Sequence, residues 1–186
     1  MNEKRAKELS KKFTDLTGIE CNATFMKKGE VHKPTTLPSD KKGVYVFLLS
    51  NEICFKVGKA GSGSQARWNS HHYSLDKTTP STFTKSFLSD LDNFKNYFNS
   101  EQKNDIEFFK TKLSEYKINN LKIDIKNLTK EQVKNLSQTL KLNHWIQKNI
   151  DRVEFLIPAS DDEYALNLLE ALIQFDLKPI YEGKNA

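Results

Sequence analysis

The stretch from Gly43 to Tyr73 restricts the fold more than any other part of the chain. Two runs rich in β-branched and aromatic residues, GVYVFLLS from Gly43 and ICFKVG from Ile53, are separated by Asn51 and Glu52. Runs of this composition around a two-residue break predict a β-hairpin. Ala60-Gly-Ser-Gly-Ser64 follows, a flexible turn whose last serine is placed to cap a helix over Gln65 to Tyr73. The order strand, turn, strand, glycine-rich turn, helix is the framework on which the other segments are placed.

Ahead of it, Ala6, Leu9, Phe13 and Leu16 recur at helical spacing within residues 2–17, and Gly18 closes that helix. Ile19 to Met26 alternates weakly, as a strand would, and Lys27 to Lys42 contains Gly29, Pro34 and Pro38 and reads as a polar loop, an arm free to move. Beyond the hairpin, Phe87, Leu88, Leu91, Phe94 and Phe98 predict helices over 83–99 and 101–117, their aromatics in a core. Residues 118–128 read as a short strand or ordered loop, and Thr129 with Gln132 opens a helix running to about Ile150. RVEFLIP is a strand stopped by Pro158, Ser160 caps an apolar helix, DDEYALNLLEALIQFDL, and KPIYEG is a last short strand. The fold class expected is mixed α/β (α+β), a small central sheet flanked by helices. It forms a single domain over 1–186: N-terminal helix and arm to residue 42, hairpin and helix over 43–73, helical insertion over 74–143, and helix–strand–helix over 144–186.

At 186 residues, 37% hydrophobic and 11% aromatic, the chain has enough apolar content for a real core and too much for a disordered segment. It carries 12 basic and 7 acidic residues over 1–60, 13 and 9 over 61–143, and 4 and 8 over 144–186, for a net charge of +5. Its first three quarters are therefore basic, which suits an anionic partner. Arg5, Arg67 and Arg152 are the three arginines among 29 basic residues; each merits separate attention because guanidinium and ammonium do different work. Cys21 and Cys54 lie in no metal-binding or redox spacing and read as thiols in strands. With no run of about 18 apolar residues and a charged N-terminus, a soluble cytoplasmic protein without membrane contact is expected.

Tyr45, Lys56 and Lys59 lie on or beside the hairpin strands, and Arg67 and His71 are four residues apart on the expected helix. A phenol, two ammoniums, a guanidinium and an imidazole together suit attack on a phosphodiester, which needs a base for the water and positive groups around the phosphorus. Glu170 is the one carboxylate within LNLLEALIQF. Such a residue sits on an exposed face, meets a tertiary partner, or binds a cation such as Mg²⁺.

GVY at 43–45, KVG at 56–58, Arg67, His71 and the distant Glu170 resemble, in order and spacing, the GIY-YIG nuclease superfamily. KVGKAGSGSQARWNSHHY and IPAS…LNLLEALIQFDLKP are most similar to compact members related to type II restriction endonucleases. The resemblance covers 43–73 and 151–183 and implies the GIY-YIG fold. It makes Tyr45 the group that activates the water and Arg67 the clamp on the scissile phosphate. Glu170 becomes the single protein ligand of one Mg²⁺ or Mn²⁺ per site, and Lys59 and His71 supporting residues. Lys56 stands where the family usually has a tyrosine: it lowers the pKa of Tyr45 and helps orient the water, or else marks a degraded site. The asparagine that follows the glutamate helix in many members has no match in LKPIYEG. Gln65, Trp68, Asn69 and His72, neighbours of Arg67, are the candidate DNA contacts, His72 also reading as a surface or core-edge histidine.

The implied activity is metal-dependent hydrolysis of double-stranded DNA by a site-specific restriction endonuclease, as a homodimer because two strands must be cut. The alternatives are a DNA-binding module that has lost its chemistry, and a nuclease of repair, mobile-element or less specific defence type.

Overall fold

A computed structural model describes residues 1–26, 32–49, 53–75, 82–160 and 162–181. Along the chain come α1 (Glu3–Thr17), β1 (Asn22–Met26), β2 (Lys41–Leu49), β3 (Ile53–Ala60), α2 (Gln65–Asn69), α3 (Phe83–Leu88), α4 (Leu91–Lys95), α5 (Ser100–Glu115), α6 (Leu121–Asp124), α7 (Lys130–Thr139), α8 (Leu142–Asn149), β4 (Asp151–Pro158) and α9 (Glu163–Leu177). The four strands form one antiparallel sheet in the order β1-β4-β2-β3, so the protein is mixed α/β with a small antiparallel sheet flanked by helices. No helix among the described residues is long and apolar enough to cross a membrane. The chain divides into two compact units, Met1–Ser70 with Ile146–Ala186, and His71–Trp145.

The first unit holds the sheet. In β2 and β4 the side chains alternate between two buried faces. Val44, Val46 and Leu48 of β2, Val57 of β3 and Val153, Phe155 and Ile157 of β4 join Leu9 and Phe13 of α1 and Leu166, Leu169 and Ile173 of α9 in one core. The opposite face carries Tyr45 and Phe47, paired across β4 with Glu154 and Arg152 and across β3 with Gly58 and Lys56. A sheet covered on both sides explains why the hairpin strands are near-continuous apolar runs. The register of β2 against β3 shifts between Phe47 and Leu48, a bulge of the kind that bends an edge strand. Helix α1 opens on Asn2, whose side chain accepts from the Arg5 N–H at 2.9 Å, and ends on Gly18 at φ 73°, the left-handed conformation a glycine adopts at low cost.

In the second unit, Phe87 stacks on Trp145 at 4.8 Å and packs edge-on against Phe94, Phe98 and Phe109. The phenylalanines at helical spacing are core here. Thr129 and Gln132 form a reciprocal capping box at the start of α7.

Several elements differ from expectation. The helix expected to run from Thr129 to Ile150 breaks at Lys141, which takes φ 46° between α7 and α8. The helix expected over 83–99 is two short ones, and 118–128 holds α6 and a 3-10 turn rather than a strand. Asp162, not Ser160, caps α9, its carboxylate accepting from the Tyr164 N–H at 3.0 Å. Ser64 occupies the cap position of α2 without a side-chain bond. In place of a last strand, Ile180 and Tyr181 donate backbone N–H groups to the Cys54 and Phe55 carbonyls at 3.0 and 2.9 Å, covering part of the β3 edge. Asn51, Glu52, Gly29, Glu182 and Gly183 lie outside the described residues.

The described part of the arm is tied down, not free. The His32 N–H donates to the Gln147 carbonyl at 3.3 Å, Thr35 bonds Glu154 through both its N–H and its hydroxyl, and Gln65 exchanges two hydrogen bonds with the Leu37 backbone. Polar side chains of the sheet and α2 thus supply the backbone partners that a segment without secondary structure needs.

Candidate active site

Tyr45 sits at the centre of the Tyr45 face, fully buried, and its ring lies across β3 at Gly58. A Cβ on Gly58 would stand 2.5 Å from the phenol oxygen and 2.7 Å from two ring carbons, closer than such contacts occur. The glycine of KVG is therefore required by the tyrosine of GVY. Gly43 has the same relation to α2: a Cβ there would meet the Phe155 carbonyl at 2.5 Å and the Trp68 ring at 2.8 Å. Gly58→Ala is expected to cost about 1–3 kcal/mol by overpacking, because the Tyr45 ring is held by Phe47 and Trp68 and cannot give way. Gly61→Ala, whose Cβ meets nothing closer than 4.0 Å, is expected to stay within about 0.5 kcal/mol in the same melts; equal costs at both positions would contradict the packing.

Arg67 reaches from α2 and donates its Nε–H to the Tyr45 hydroxyl at 3.5 Å, a long bond that leaves the guanidinium's other N–H groups for a further acceptor. Burial raises the Tyr45 pKa above its ordinary value; the bond and charge of Arg67 and the charge of Arg152 oppose this, and Glu170 reinforces it. Tyr45 is a neutral phenol at neutral pH. The expectation that Lys56 lowers this pKa is corrected: Arg67 and Arg152 supply the opposing charge, and burial prevails. Lys56 titrates instead. It is buried on the same face, and desolvation together with the charge of Arg67 brings its pKa down to about 8.

A depressed lysine makes stability depend on pH. Between about 8 and 10.5 the unfolded chain holds a proton that the folded chain has released, so stability rises with pH through that window. Lys56→Met is expected to raise the melting temperature at pH 7, where the parent still buries the ammonium, and the advantage should shrink above pH 8. Parallel stability–pH curves for parent and variant would show that Lys56 titrates normally.

Beneath the phenol lies an ion pair that sequence reasoning did not find. Arg152 and Glu154 are both buried, the Arg152 Nε–H donating to Glu154 at 2.8 Å. Arg152 also donates to the Trp68 carbonyl at 2.8 Å, and its guanidinium stands 5.3–5.4 Å from the ring centres of Trp68, Tyr45 and Phe47. Such a cation among three aromatic faces is attracted by all of them. One pair thus fixes α2, the arm and the Tyr45 ring on the sheet. The available signal was an arginine and a glutamate two apart, followed by an apolar run, in the strand DRVEFLIP. His32 is held neutral, its pKa lowered to about 4 mainly by burial and also by Arg152.

Lys59 and Glu170 belong to the other side of the sheet. Lys59 pairs with Val44 and shares its face, so its ammonium meets α9: 2.7 Å from Glu170 Oε2 and 2.6 Å from Asn167 Oδ1. Of the explanations open for Glu170, a tertiary partner is what the structure provides, and Asn167 is a polar residue of that group which the sequence did not single out. The predicted residues therefore form two sets, Tyr45, Lys56 and Arg67 on one face and Lys59 with Glu170 on the other. The charge of Glu170 still reaches the Tyr45 phenol.

The remaining candidates fall elsewhere. Helix α2 ends at Asn69, so His71 follows it in a turn and the shared helix face expected for Arg67 and His71 is absent. Trp68 is fully buried against Tyr45 and Arg152, and a residue 100° around a short helix from Arg67 naturally faces inward; it is corrected from DNA contact to core. His72 is likewise buried, its Nδ1 accepting from the Phe83 N–H at 3.0 Å and its carbonyl from the Thr84 hydroxyl at 2.6 Å, a structural role within the second unit. Gln65 is engaged with Leu37, and Asn69 is half-buried at the end of α2.

Among the described residues no three His, Cys, Asp or Glu side chains cluster as a metal site. Glu170 alone offers a hard oxygen donor of the kind Mg²⁺ accepts when substrate phosphate and water complete the shell. Its present partner is a cation, which shows that the position favours positive charge. Comparison with protein-family models, with curated proteins and with solved structures finds no match for the chain.

Proposed function

We propose that the chain is a divalent-metal-dependent DNA endonuclease of the GIY-YIG type, most specifically a site-specific type II restriction endonuclease acting on double-stranded DNA. The observation that carries this is the approach of the Arg67 guanidinium to the Tyr45 hydroxyl, with Lys56 buried on the same face and its pKa brought down to about 8. A phosphate oxygen bound by the free N–H groups of Arg67 brings its phosphorus close to the phenol oxygen. Tyr45 and Lys56 are buried in the free protein, so DNA binding has to open this face; Tyr45 then holds the attacking water by a hydrogen bond, and Lys56 in its amine form takes the proton released. Arg67 stabilises the charge that accumulates on the phosphoryl oxygens. Water adds to phosphorus as the P–O bond to the 3′ oxygen breaks, and the departing 3′ oxygen takes a proton from solvent, giving a 5′-phosphate and a 3′-hydroxyl. Glu170, on the other face of the sheet but near enough for its charge to reach the Tyr45 phenol, is the residue that would hold Mg²⁺, which would stabilise charge on the leaving oxygen. Lys59 then has to give up its bond to Glu170, and the phosphate backbone is the natural new partner for its ammonium.

A second reading, a DNA-binding module without chemistry, is favoured by the same Lys59–Glu170 pair, which already neutralises the metal ligand, and by Lys56 in place of a tyrosine. Purified protein incubated with a sequenced, unmethylated DNA separates the two. Mg²⁺-dependent, EDTA-sensitive cutting into discrete fragments whose ends ligate directly is the result expected of the restriction enzyme. A smear points to a less specific nuclease. Salt-sensitive retention of DNA with no product in Mg²⁺ or Mn²⁺ would leave only the binding module.

A further inference from the structure

Helix α9 has two apolar sides. Leu166, Leu169 and Ile173 face the sheet core, whereas Tyr164, Leu168, Ala171 and Phe175 are exposed, Tyr164 and Phe175 at 78% and 80%. The exposed four are spaced four, three and four residues apart, the interval of a helix-pairing seam. Single exposed apolar residues are ordinary, but two large aromatics and a leucine in one row form a patch of the kind that marks an interaction surface.

The occupant that fits is a second copy of the same helix. Because the spacing reads the same in both directions, an antiparallel copy sets Tyr164 against Phe175 and Leu168 against Ala171, twice, about a two-fold axis. Charge agrees with this register: Asp162 is exposed at the N-terminal end of the seam and Lys178 at the C-terminal end, so antiparallel pairing places opposite charges and opposite helix dipoles together. Asn167 and Gln174, which flank the seam, carry no charge to repel a like helix. A shallow groove lined by Ala171, Gln174, Phe175, Lys178 and Pro179 lies where Tyr164 of the second copy arrives. Two aromatics at about 150–250 Å² each, with Leu168 and the half-exposed Ile180, give roughly 1,000 Å² over both copies, near the lower bound for a specific interface. A lipid surface is disfavoured, since α9 and its two caps hold one basic residue, Lys178, against Asp162, Glu163, Glu170 and Asp176, unlike the lysine- and arginine-rich helices that lie on membranes.

We infer that α9 is the self-association surface of this protein and pairs antiparallel with α9 of a second copy. The inference stands on the surface of α9 and not on the nuclease chemistry, so either can fail alone. Sedimentation velocity of the full chain, without DNA or metal, is expected to show a particle of twice the chain mass. Leu168→Glu and Phe175→Glu should each reduce it to a monomer with unchanged circular dichroism. The double variant Tyr164→Cys, Phe175→Cys, oxidised by copper phenanthroline in air, is expected to form a covalent dimer, and each single variant is not, because the antiparallel register sets each cysteine against an unchanged residue. A monomeric parent across micromolar concentrations overturns the inference. So does a dimer that survives both glutamate variants, as one using another surface, or efficient cross-linking through either single cysteine, as a parallel pair.

Discussion

Replacing Arg152 with alanine is expected to destabilise the protein by about 3–5 kcal/mol, the cost of removing one partner of a buried ion pair, and to lower its melting temperature by roughly 10 °C. The effect is large because three attachments go at once. Among the described residues, Thr35 is then the one group left donating to the buried Glu154 carboxylate, the Trp68 carbonyl loses its Arg152 donor, and the Tyr45, Phe47 and Trp68 rings lose the cation between them. The double variant Arg152→Met, Glu154→Leu should recover much of the loss, since it leaves no orphaned charge. Urea unfolding followed by far-ultraviolet circular dichroism gives both values. A loss below about 1 kcal/mol for the single variant would place the pair among ordinary surface ion pairs and remove it from the support of the site.

Arg67→Ala is expected to leave stability nearly unchanged, since Arg67 is exposed, and to reduce DNA cleavage by about 10²–10³-fold, the usual effect of losing one group that stabilises transition-state charge. It should also shift Lys56 upward, because the charge of Arg67 is one of the two causes that depress it. Arg67→Lys keeps a positive charge without the planar fork and should recover only part of the rate. Cleavage indifferent to all three side chains would mean that Arg67 is a solvated surface charge.

Much of the fold was legible because its signals are local. The periodicity of α1, the two hairpin strands around their break and the alternation of β4 each arise within a few residues. Lys141 shows the limit: a lysine carries no turn signal, and only the packing of the Phe87 and Trp145 cluster in the second unit accompanies the break there. The arm read as free because its anchors are remote, Thr35 being bound by Glu154 and Leu37 by Gln65. At the site, Tyr45 and Arg67 stood out by residue type and order. Their support did not, since Arg152 reaches a carbonyl 84 positions away. The face of Lys59 follows from pairing register, which residue type alone does not supply; Trp68 and His72, chosen by adjacency to Arg67, turned out to be core.

Tyr45 is the centre of the proposed chemistry, and single-turnover cleavage of one DNA substrate in Mg²⁺ by the parent and by Tyr45→Phe measures its role directly. The phenylalanine keeps the ring over Gly58 and removes the oxygen that meets Arg67. The rate is predicted to fall by about 10²–10⁴-fold with the melting temperature and DNA retention preserved. A variant that cuts as fast as the parent would contradict the assignment of this phenol to water activation, and with it the active site described on this face of the sheet.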